Sequence, residues 1–70
     1  MKLSTRNQLK GTVAEVTHGS VMSTVKVQLA GGDVITASIT LEAAQELGLS
    51  AGTEVVALIK STEVMLGVED

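Results

Sequence analysis

Two polar clusters and one helix start carry the residue types that hold an anion. Ser4-Thr5-Arg6-Asn7 stands just ahead of the first apolar run, and Lys60-Ser61-Thr62 is set between two later ones. Arg and Lys bring positive charge, while Ser, Thr and Asn bring neutral donors. Hydrogen bonds from a charged donor are roughly twice as strong as neutral ones. Thr40 opens the one stretch of helical character, and helix N-termini accept anions because their first N–H groups lack partners. Each feature also has a plainer reading. Lys60-Ser61-Thr62 is then a solvated strand-end turn, and Thr40 an ordinary N-cap.

Catalytic chemistry finds no such support. A nucleophile needs a base, and the single His, His18, sits beside Gly19 in an expected turn with no carboxylate adjacent to it. The acidic residues Glu42, Glu46, Glu54, Glu63, Glu69 and Asp70 are scattered, with no pair spaced for acid–base work. Gly31-Gly32 is not a phosphate loop, because no Gly-Lys-Ser/Thr follows it. It reads as a hairpin turn. The chain is therefore expected not to be an enzyme.

Composition narrows the partners. The chain has 70 residues, no Cys, no Pro and no aromatic residue, and a net charge of −3. Disulfide scaffolds and thiolate metal sites are excluded, and one His makes any resident metal cation an unattractive expectation. Single-stranded nucleic acid is read by stacking on aromatics, and duplex backbones need clustered cations, so nucleic acid is not expected. No apolar run approaches the roughly 18 residues of a membrane span, and the start lacks a signal-peptide core. A soluble, cytoplasmic protein without a membrane partner is the expectation. At this size a domain buries only about 60% of its unfolded surface. With neither disulfide nor metal, the remaining support is oligomerisation.

The elements that position these clusters are mostly strands. Val, Ile and Thr together make 21 of the 70 residues, an enrichment that favours pleated structure. Leu9–Thr17 alternates loosely, and His18-Gly19-Ser20 reads as a turn. From Val21 the parity is clean, with Val21, Val25, Val27 and Leu29 on one side. Ala30-Gly31-Gly32-Asp33 predicts a hairpin, because both glycines accept positive φ. Val34–Ile39 is the return strand. Thr40 N-caps a helix whose Leu41, Ala44 and Leu47 share a face and whose C′ residue is Gly48. Val55–Ile59 reads as a buried strand, and Val64, Leu66 and Val68 resume alternation as a fifth. The expected fold is all-β with one short helix: an OB-like five-stranded β-barrel, one domain over residues 1–70.

At these residues the chain resembles a known family. Ser4-Thr5-Arg6-Asn7-Gln8-Leu9-Lys10-Gly11 is similar to the opening signature of the molbindins, Ser-Ala-Arg-Asn-Gln followed two residues later by Gly. Ala30-Gly31-Gly32-Asp33-Val34-Ile35-Thr36 resembles their hairpin. Leu47-Gly48-Leu49 and Lys60-Ser61-Thr62-Glu63-Val64-Met65 resemble their later blocks. Molbindins are single Mop domains that bind molybdate in the cytoplasm. The resemblance implies an OB-like barrel assembled as a hexamer, a trimer of dimers, with molybdate or tungstate held between subunits. The main site would draw on Ser4, Thr5, Arg6, Asn7, Lys60 and Ser61 of one chain and on Thr40 of its neighbour. Where some members carry a hydroxyl this chain has Ala43, which leaves only a backbone N–H there. A second class of oxyanion site near the threefold axis maps to His18, Gly19, Ser20 and Val21.

The implied role is storage, buffering or homeostasis of the oxyanion. The chemistry agrees with the donor set. Molybdate is a tetrahedral dianion that takes donors only, whereas phosphate near neutrality often carries a proton and wants an acceptor. Sulfate has shorter bonds, so the same donors cannot all reach it. The alternative is an OB-like module for protein or nucleic-acid interaction.

Overall fold

The structure, a computed structural model, describes residues 1–70. Four strands form: β1 (Asn7–His18), β2 (Met22–Leu29), β3 (Val34–Thr40) and β4 (Glu54–Ile59). One helix, α1 (Leu41–Glu46), follows β3, and a 3-10 turn at Ser61–Glu63 follows β4. The sheet order is β3-β2-β1-β4, and every neighbouring pair is antiparallel.

The alternation in β2 explains its place. Ser23, Val25 and Val27 are buried, and Val13 of β1 completes the centre. Val16, Leu29, Ile35, Ala37, Ile39, Leu49 and Val55 pack around it, half-buried. β1 alternates loosely because its register shifts between Val13 and Glu15. One extra residue there reverses which parity faces the core, so Val13 precedes and Val16 follows on the same side. Val13 also fastens the loop before β4, donating to the Thr53 carbonyl and accepting from Gly52 N–H, both at 2.8 Å. Gly11 is required by close approach. A Cβ there would stand 2.6 Å from Val27 Cγ1 and 2.8 Å from the Gln28 carbonyl oxygen.

Several expectations are corrected. Val64, Leu66 and Val68 form no fifth strand; they are 48%, 95% and 95% exposed, because no strand of the same chain pairs with them. The expected five-stranded barrel is thus a four-stranded curled sheet, with β3 and β4 as its two edges. The all-β class with one short helix holds. In the hairpin only Gly32 has positive φ, at 96°; Gly31 needs none. Val21 lies outside β2 and is 69% exposed, since the pairing of β2 begins at Met22. Leu47 is 67% exposed because the helix stops one residue earlier, so only Ala44 of the expected face is fully buried.

Candidate oxyanion site

Register joins the two polar clusters. Asn7, the first residue of β1, pairs with Ile59, the last of β4. Asn7 Nδ2 also donates to the Ile59 carbonyl across that seam, at 3.0 Å. The segment entering β1 and the segment leaving β4 therefore lie side by side. Ser4, Thr5 and Arg6 arrive at the place from which Lys60 and Ser61 depart, and no local pattern in the sequence contains that juxtaposition.

The Arg6 guanidinium is already oriented. Its Nε donates to the Ser4 carbonyl at 2.9 Å, and one Nη donates to the Leu3 carbonyl at 3.3 Å. Of the five N–H donors a guanidinium carries, three remain for a ligand. Gln8 Nε2 holds the Thr5 carbonyl at 2.8 Å, fixing the same approach segment. Lys60 and Ser61 are exposed, and the 3-10 turn holds them: Glu63 N–H donates to the Lys60 carbonyl at 2.9 Å. Ser4 and Arg6 are exposed, and Thr5 and Asn7 half-buried. The result is an exposed stretch at one end of the sheet, where the segments carrying Arg6 and Lys60 lie next to the paired Asn7 and Ile59.

Thr40 stands at the other end. It pairs with Met22 at the start of β2, and the neighbouring Ser23 pairs with His18, the last residue of β1. The 12-residue length of β1 separates the two ends, roughly 35–40 Å of extended chain. Within one chain Thr40 therefore does not join the Arg6–Lys60 seat. Its Oγ1 accepts from Ala43 N–H at 3.0 Å, so the N-cap reading is realised and the hydroxyl proton is left to donate outward. The Ala43 N–H is consumed by that cap.

The His18–Val21 turn lies against this same end. Leu41 N–H donates to the Val21 carbonyl at 2.8 Å, and Gly19 N–H to that of Met22 at 2.7 Å. His18 Nδ1 and Ser23 Oγ are 2.7 Å apart. Ser23 is 1% exposed, and sequence reasoning passed over it, although it shares the inward parity of Val25 and Val27. No group of three His, Cys, Asp or Glu side chains forms that could hold a metal ion. No helix is long and apolar enough to cross a membrane.

The fold and this seat have counterparts. Residues 3–66 match the family model of the TOBE domain. The chain belongs to the TOBE domain family. Within it, the chain is of the Mop, or molbindin, type. A "Probable molybdenum-pterin-binding protein" of Haemophilus influenzae is 48% identical over 69 residues, covering 99% of this chain and all of the relative. MopII of Clostridium pasteurianum superposes with a TM-score of 0.90 at 43% identity, over 96% of this Mop domain and all of the other chain. A molybdate-binding protein of Sporomusa ovata superposes with a TM-score of 0.91 at 37% identity, over 97% of this domain and all of the other.

Proposed function

We propose that this Mop domain binds molybdate, or its near-isostere tungstate, as a cytoplasmic oxyanion store or buffer. The observation that carries the reading is the seat at the Asn7–Ile59 seam, where Ser4, Arg6, Lys60 and Ser61 are brought to one place by strand register. Every side chain among these four offers a donor, and none is a carboxylate. A proton-free tetrahedral dianion is the ligand such a set fits, and the binding activities named for similar proteins support it.

Thr40, from a neighbouring chain, completes the seat, because its own chain holds it at the far end of the sheet. The functional unit is then a homo-oligomer, a hexamer built as a trimer of dimers. The His18–Val21 turn, already grouped with the Thr40 end, is the place for a second class of oxyanion. Isothermal titration tests the reading: molybdate and tungstate give saturable heat, while sulfate, phosphate and an oligonucleotide at equal concentration give none. Heat from the oligonucleotide alone would transfer the protein to the interaction-module reading.

A further inference from the structure

We infer that Ser23 is a positioning residue, whose buried hydroxyl holds His18 with Nδ1 turned inward as an acceptor and Nε2–H turned outward as a donor to an anion. The inference rests on the reading of the His18–Val21 turn as a second oxyanion place, and it names the residue that readies the turn for that ligand.

Register sets the pair. His18 ends β1 and stands opposite Ser23 of β2, which pairs on its other side with Ile39 of β3. Directly opposed residues of antiparallel strands place their side chains on one face. Ser23 shares the inward parity of Val25 and Val27 and is the one polar residue among the five buried ones, at 1% exposure. His18 is exposed at the end of the sheet. Its Nδ1 lies 2.7 Å from Ser23 Oγ.

The direction of this bond follows from where each proton can go. His18 Nδ1 is the sole hydrogen-bond partner of Ser23 Oγ. Were Nδ1 to carry the proton, it would donate to Oγ, and the hydroxyl proton would be left in a dry site without an acceptor. Folded chains avoid an unpaired buried donor. The hydroxyl therefore donates to Nδ1. A neutral imidazole has one N–H, so that proton resides on Nε2. Nε2 has no partner within the chain and is the ring nitrogen left to face away from Ser23.

This tautomer suits an anion. The opposite one would present a lone pair at Nε2, which repels an oxyanion. Further donors stand beside it. Gly19 N–H is taken by the Met22 carbonyl at 2.7 Å, but the Ser20 and Val21 N–H groups meet no acceptor in the chain. No carboxylate competes on this face. Glu15, the nearest acid in sequence, has the outward parity of Thr17 and accepts from its Oγ1 at 3.3 Å.

His18 is the only histidine, so long-range proton–nitrogen NMR reads its tautomer directly, without ligand, on the assembled protein. In buffer alkaline enough to keep imidazole neutral, the expected spectrum shows a single form protonated at Nε2. A main species protonated at Nδ1 would overturn the inference. Ser23→Ala is expected to let the ring exchange between tautomers. In titration calorimetry it should weaken a second molybdate phase by about fivefold or more, and leave the main phase within about twofold. Ser23→Cys, similar in size but a weaker donor, should fall between Ser23→Ala and the unsubstituted protein. Ring behaviour and a second phase both unchanged in Ser23→Ala would refute the positioning role. The ligand reading has its own arm. A second molybdate phase that survives His18→Ala would remove the donor role and the reading of the turn together, while the spectrum judges the Ser23–His18 bond independently.

Discussion

Arg6 and Lys60 are the two cations at the seam, and they differ in preparation. Arg6 is tied to the Ser4 and Leu3 carbonyls, so a ligand meets a guanidinium whose direction is set. Lys60 sits at the head of a 3-10 turn and brings a point charge on a flexible stem. Removing either side chain deletes charge-assisted bonds. Arg6→Ala and Lys60→Ala are each expected to weaken molybdate binding roughly ten- to hundred-fold, read by titration calorimetry; under threefold in both would remove them from the site. Arg6→Lys should recover only part of the loss, since an ammonium cannot keep both carbonyl bonds and still present a planar fork. His18→Ala should separate the two ends of the sheet. Binding at the main seat should stay within threefold, while urea unfolding should show a loss of about 1 kcal/mol, as buried Ser23 loses its partner.

Strand pairing places these residues, and the tightest point of that pairing is Gly11. It faces Val27 Cγ1 and the Gln28 carbonyl at distances no side chain tolerates. Gly11→Ala should therefore push β1 from β2 and cost about 1–3 kcal/mol of stability, measured by denaturant midpoint; an unchanged midpoint would show that the sheet can open there freely. Such local demands explain what was legible in the sequence. β2 and β3 announced themselves because one parity is apolar and the other polar, and the Thr40 cap and Gly48 bounded the helix. β1 was legible only in part, since the register shift after Val13 breaks its alternation. Leu47 misled because a periodic match does not say where a helix stops. The alternation at Val64, Leu66 and Val68 is real, but alternation does not say whether a segment finds a strand to pair with, and within this chain it finds none. For the site, residue types were legible in Ser4–Asn7 and Lys60–Thr62, whereas their meeting rests on the pairing of residues 52 positions apart.

The largest scale decides whether the seat is whole in one chain. Arg6 and Thr40 lie at opposite ends of one sheet, so a site using both must be shared. Molybdate would then act as a subunit bridge. It would stabilise the assembled state by RT ln(1 + [L]/Kd) per site, about 2.7 kcal/mol at a hundredfold excess over Kd, and so raise the melting temperature where sulfate does not. The sharing itself is open to a complementation test. Arg6→Ala chains alone should bind weakly, and Thr40→Ala chains alone should too, the latter also losing about 1 kcal/mol of helix capping. When the two are co-assembled, some seats combine the intact Arg6 of one chain with the intact Thr40 of the other. Random pairing makes about a quarter of the sites fully native. A fraction of that order should regain tight binding, visible as a distinct high-affinity phase in calorimetry. If Arg6 and Thr40 instead served one site within a single chain, every seat in the mixture would lack one of them. No mixing ratio could then restore the high-affinity phase, and its absence in confirmed mixed oligomers would return the whole seat to one subunit.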